Sequence, residues 1–147
     1  MATVTLGHTD WLNRLVRGEL SAIETYQQAL EKMHDAPEAT ELQAIEADHR
    51  SAVRALRDQV LQHGGTPDDK SGAWGTWAKF VEGTAKMLGN TAALEALRQG
   101  EQHGIKEYER ALEEDELDAE CHAMIRNLLL PHARTHVPVL DRLIDFQ

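Results

Sequence analysis

Apolar residues recur at Leu12, Leu15, Ile23, Tyr26, Leu30 and Met33, the three-and-four spacing of an amphipathic helix. Thr9 or Asp10 can cap this helix, which the pattern predicts from Trp11 to about His34, with Asp35, Ala36 and Pro37 as the break. Pro37 suits the first turn of a second helix reaching about His63, with the stripe Leu42, Ile45, His49, Val53, Leu56 and Val60. Gly64-Gly65-Thr66-Pro67 ends it. A third helix is capped by Asn90 or Thr91 and runs to about Glu113. The fourth begins near Asp115 or Leu117 and reaches Ile144, with the stripe Ile125, Leu128, His132, His136, Val139, Leu143 and Phe146. Pro131 and Pro138 lie inside it, and each removes a helical hydrogen bond, which predicts a kink or a split. Between Asp68 and Asn90, Trp74, Trp77, Val81, Ala85 and Leu88 share one face and predict a short crossover helix packed across the others.

The first and third helices repeat one another. Leu12 to Leu30 and Leu94 to Leu112 share eight identities in nineteen positions, among them Gly18/Gly100, Glu19/Glu101, Ile23/Ile105 and Tyr26/Tyr108. The pattern therefore predicts an all-α fold: an antiparallel four-helix bundle of two duplicated helical hairpins, with the long crossover between helices two and three. It fills a single domain over residues 1–147.

Glu19 and Glu101 interrupt the apolar stripe, so each carboxylate points at the core, where it must be protonated, paired with a cation or bound to a metal. Helix two adds Glu46 and His49, a Glu-x-x-His pair on one face. Helix four offers His132 and His136, but Leu129 and Ala133 stand where a preceding Glu would complete a second such pair. Either histidine can be matched to His49. Tyr26 and Tyr108 read as repeated core packing, with redox-active neighbours or hydrogen-bond partners of the glutamates as the alternative, and His8, His34, His63 and His122 read as solvated groups near helix ends or flanks. His103 falls off the stripe.

Composition narrows the picture. A formal charge of −10 argues against nucleic acid and anionic membranes as partners, and no stretch approaches the length of a transmembrane helix. The run Glu113-Glu114-Asp115-Glu116 reads as a solvated turn. One cysteine, Cys121, excludes an intramolecular disulfide and a Cys-based zinc site, and reads as a small core residue. With no leader-like N-terminus, the expected location is the cytoplasm, and the expected assembly is a twofold homodimer.

The lone glutamates, the Glu-x-x-His pair and the long crossover together resemble the ferritin-like superfamily, which includes ferritins and rubrerythrins. The duplicated Gly-Glu-x3-Ile-x2-Tyr pattern and the Gly-Gly ending resemble a family of small bacterial bundles of unknown function within it. The resemblance implies iron or manganese between the helices, reacting with oxygen or peroxide as an oxidoreductase or ferroxidase would. Glu19, Glu46, His49, Glu101, His132 and His136 are the candidate ligands, and zinc also suits their oxygen and nitrogen donors. The alternative is a metal-free structural or stress-related bundle whose glutamates and histidines form a buried polar network.

Overall fold

The computed structural model describes residues 7–71 and 89–147. The expected crossover helix, with Trp74 and Trp77, lies outside them. The described residues are helical and contain no strand. Helix α1 spans His8–Met33, α2 Ala39–Gln62 and α3 Asn90–Leu112. A fourth rod is built from α4 (Ala119–Met124), a π-helical turn (Ile125–Leu129) and α5 (Leu130–Asp145). No helix among the described residues is long and apolar enough to cross a membrane.

Each helix begins and ends for local reasons. Asp10 accepts the Gly7 amide at the start of α1, and Asp118 caps α4 by accepting the Cys121 amide at 2.9 Å. At the end of α2, Gly64 takes φ 76°, a left-handed conformation that suits glycine. The Gly65 amide then reaches the Val60 carbonyl and the Gly64 amide that of Leu61, the paired bonds of a Schellman ending. Gly65 is pressed against the start of α1: a Cβ there would lie 2.8 Å from Thr9 Cγ2 and 3.0 Å from Val60 Cγ1. Both neighbours are stiff β-branched side chains, so Gly65→Ala is expected to destabilise the protein by about 1–3 kcal/mol, read as a lower urea midpoint. An unchanged midpoint would show that this end of the bundle is loose.

Among the described residues, two apolar clusters form the core. One gathers Trp11, Leu12, Leu15, Val16, Leu56, Val60, Tyr108, Ile125 and Leu129; the other Tyr26, Met33, Leu42, Ile45, Leu94, Leu97, Leu140 and Leu143. Following each helix from one cluster to the other gives the chain direction. Helices α2 and α3 run opposite to α1 and to the α4–α5 rod, so α2 and α3 are parallel, and the end of α2 and the start of α3 lie at opposite ends of the bundle. Between the clusters each rod places a polar residue: Glu19, His49, Glu101 and His136, all buried. Arg14 grips Glu107 through two hydrogen bonds of 2.8 and 3.0 Å and fastens α1 to α3.

The prolines do not split the fourth rod. Pro131 cannot donate to the Asn127 carbonyl, and its ring would crowd that oxygen in an α turn. The chain instead widens just before it, where the Leu130 amide reaches back five residues to Ile125. Pro138 stays inside α5. Both prolines, and the Asn127 and Arg134 residues whose carbonyls they leave free, lie on the exposed face, where water can satisfy those oxygens.

The wide turn also moves the stripe. At about 100° per residue, an unbroken α-helix would place His132 and His136 about 20° either side of Ile125. One extra residue in the turn sets the downstream rotation back by roughly that 100°. Leu129, Leu130, Ala133 and Leu140 become the buried positions, while Leu128, His132 and Phe146 are exposed.

Candidate metal centre

Glu19 and Tyr26 stand two turns apart on α1, and Glu101 and Tyr108 stand likewise on α3. Because the helices are antiparallel, each tyrosine meets the other helix's glutamate. Tyr26 Oη donates to Glu101 Oε1 at 2.7 Å, and Tyr108 Oη to Glu19 Oε1 at 2.5 Å. Both rings are buried, so the expected packing role is real but is only half of what they do. Burial and the adjacent glutamate (Glu101 for Tyr26, Glu19 for Tyr108) push both phenols well above their ordinary range, which keeps them donors.

Histidine 49 projects from α2 between the two carboxylates. Its Nδ1 lies 2.5 Å from Glu19 Oε2 and its Nε2 2.7 Å from Glu101 Oε1. Only an imidazolium can donate from both nitrogens at once. Burial opposes that charge, but Glu101 and Glu19 outweigh it and hold the ring well above its usual pKa. His136, from α5, repeats the arrangement with Nδ1 3.1 Å from Glu101 Oε2 and Nε2 2.8 Å from Asp48 Oδ2. Burial pulls its pKa down, but the bond and charge of Glu101, together with the bond to Asp48, outweigh it, and the balance is upward. For Glu101, burial favours protonation, yet His49 and His136 hold it well below the carboxylate range.

His49, Glu101 and His136 each present a ligand atom within 4.8 Å of the others, all buried, so the group could hold a metal ion. A cavity of about 50 Å³, lined by Glu19, Asp48, His49 and His136, adjoins it and has room for an ion or a water. On the opposite side, and among the described residues, a cleft of about 840 Å³ between α1 and α3 reaches Glu19, Glu101 and both tyrosines past Gly18 and Gly100.

The expected ligands divide. Glu19, His49, Glu101 and His136 meet. Glu46 turns to Arg50, one turn along α2, at 2.9 Å and does not meet them. His132 is exposed at the mouth of the small cavity. Asp48 was not singled out by the sequence, because it stands outside the α2 stripe and next to His49; only its contact with His136 marks it. From α2 it sets a carboxylate oxygen 2.8 Å from His136 Nε2. His34 and His63 are exposed, as expected, whereas His8 is half-buried at the far end of the bundle.

Residues 8–114 match the family described as a domain of unknown function, DUF2383. The chain belongs to that family. The DUF2383 match takes in Glu19, His49 and Glu101 and both tyrosines, whereas His136 lies beyond it. No match appears among curated proteins or among solved structures.

Proposed function

We propose that this DUF2383 chain is a ferritin-like bundle that binds a divalent transition-metal ion, iron or manganese, at His49, Glu101 and His136, with Glu19 and Asp48 completing the donor set. The observation that carries the reading is the charge exchange the cluster allows. Two imidazolium rings sit against the carboxylates of Glu19, Glu101 and Asp48. A divalent cation that displaces one proton from each ring leaves the buried charge unchanged, so the ion adds no desolvation cost from excess charge. The donors are imidazole nitrogens and carboxylate oxygens, which suit iron, manganese or zinc. Iron or manganese held there would supply redox chemistry toward oxygen or peroxide.

Two further features support the ferritin-like and duplicated-hairpin reading. The α2 and α3 directions require a long crossover, as ferritin-like bundles do. The reciprocal tyrosine–glutamate bonds follow the sequence repeat residue for residue.

The test is metal analysis of untagged protein, before and after anaerobic loading with iron(II) or manganese(II), with proton release measured during loading. One ion per chain is expected, with two protons released and apparent affinity rising about 100-fold per pH unit below the histidine pKa values. A His49→Asn, His136→Asn double variant should lose the ion. Retention of metal by that variant would place the ion elsewhere. No binding to the unaltered chain at any pH would leave the cluster a self-contained polar network.

A further inference from the structure

The far end of the bundle brings together four chain segments that the centre above does not use. The Schellman ending of α2 turns the chain so that His63 lies beside α1, and Gly65 packs on Thr9. Asn13 holds the following loop through Thr66 O and the Asp68 amide, both at 2.9 Å. His8, in the first turn of α1, is thereby stacked on His63 with ring centroids 3.8 Å apart. Asp118 spends Oδ1 on the Cys121 amide and keeps Oδ2 for these rings: His63 Nε2 at 2.8 Å and His8 Nε2 at 3.7 Å. Cys121 Sγ, fully buried, lies 3.5 Å from His8 Nε2 and 3.4 Å from Gln59 Oε1.

We propose that His8 Nε2, Asp118 Oδ2 and Cys121 Sγ form a second metal site, for a zinc-class divalent ion, with His63 holding the Asp118 carboxylate in place. These three atoms lie within 4.8 Å of one another. With metal–sulfur and metal–nitrogen bonds of about 2.3 and 2.0 Å, tetrahedral geometry separates sulfur from nitrogen by about 3.5 Å. The His8–Cys121 separation is 3.5 Å. One thiolate, one imidazole and one carboxylate make a mixed, borderline-soft set that suits zinc or cobalt(II), with the fourth position left to water.

The ring of His8 is suited to the role. Its Nε2 faces both Cys121 Sγ and Asp118 Oδ2, at 3.5 and 3.7 Å. His63 donates to Asp118 and in turn faces the Gln59 carbonyl, the outer arrangement that commonly orients a metal-bound carboxylate. Without an ion, burial and Asp118 push the Cys121 thiol up to about 12, so binding transfers that thiol proton to solvent. The expectation that a single cysteine excludes a zinc site therefore applies only to sites that need a second one. His63 is exposed, as expected, while His8 is half-buried by packing against it. Asp118 and Cys121 lie beyond the residues matched to DUF2383.

The test is titration of the full chain with cobalt(II) under reducing, anaerobic conditions. Cys121 is the only cysteine, so a thiolate-to-cobalt charge-transfer band identifies the ligand by itself. The band is expected in the unaltered chain and in a His49→Asn, His136→Asn double variant, which separates this site from the first. It should vanish in Cys121→Ala, and His8→Asn should weaken binding at least tenfold, with helicity by circular dichroism checking that each variant folds. His63→Gln should weaken it about 10–100-fold. Cobalt binding without the band, no cobalt binding, or an unchanged midpoint in His8→Asn would overturn the site.

Discussion

Replacing Glu101 by alanine is expected to destabilise the metal-free protein by about 3–5 kcal/mol, because it removes one partner of a buried ion pair. Three donors converge on this side chain: Tyr26, His49 and His136. All three are buried between the two apolar clusters, so each loses a bond that its surroundings do not readily replace. For a chain of this size, the loss should lower Tm by on the order of 10 °C. Glu101→Gln keeps the shape and one acceptor oxygen, so its loss should be smaller, although the new amide group faces donors on one side. Urea unfolding of the metal-free variants makes the comparison. A loss below about 1 kcal/mol for the alanine variant would mean that water already reaches the cluster.

The metal-free protein is also expected to have a stability maximum between about pH 4.5 and 6.5, with a decline on each side. The sign follows from two opposite shifts. Glu101 is held well below 4.5, so its contribution is full above that pH and is lost as pH falls through the folded value. His49 is held well above 6.5, so its contribution is full below that pH and is lost as pH rises through the folded value. The groups facing His49 are Glu19 and Tyr26 from α1, Glu101 from α3 and His136 from α5. His49→Gln should flatten the alkaline decline and leave much of the acid one. Loading with manganese(II) should reverse the alkaline trend, because the ion binds the deprotonated rings. Urea midpoints across pH, with and without the ion, decide this. Parallel curves for the two forms would sink the proton-exchange account.

The helical architecture was legible because it rests on local periodicity. The stripes of α1, α2 and α3 are buried nearly as spaced, and the Gly64-Gly65 ending is a local device that the residues announce. Glu19 and Glu101 were legible for a related reason: a charge on an apolar stripe conflicts with its surroundings and must be answered. The answers themselves were not legible. That Tyr26 serves Glu101 rather than a residue on its own helix depends on the antiparallel pairing of α1 with α3. The Glu46-x-x-His49 spacing drew attention to Glu46, yet the nearby Arg50 captures that carboxylate, and Asp48 faces His136 instead. The cluster of His8, His63, Asp118 and Cys121 joins residues up to 113 positions apart and has no periodic signature at all.

The choice between His132 and His136 was closed to sequence reading for a geometric reason. In an unbroken α-helix both imidazoles sit equally close to the core direction, and the five-residue turn before Pro131 breaks that tie. Which histidine faces the interior is thus written in helix phase rather than in residue identity. Pro131 and the wide turn act as one spelling: the missing amide makes the extra residue favourable, and the extra residue decides which ring the interior sees. An event upstream that changes only how many residues complete a single turn would therefore change which histidines face the interior, without mutating either.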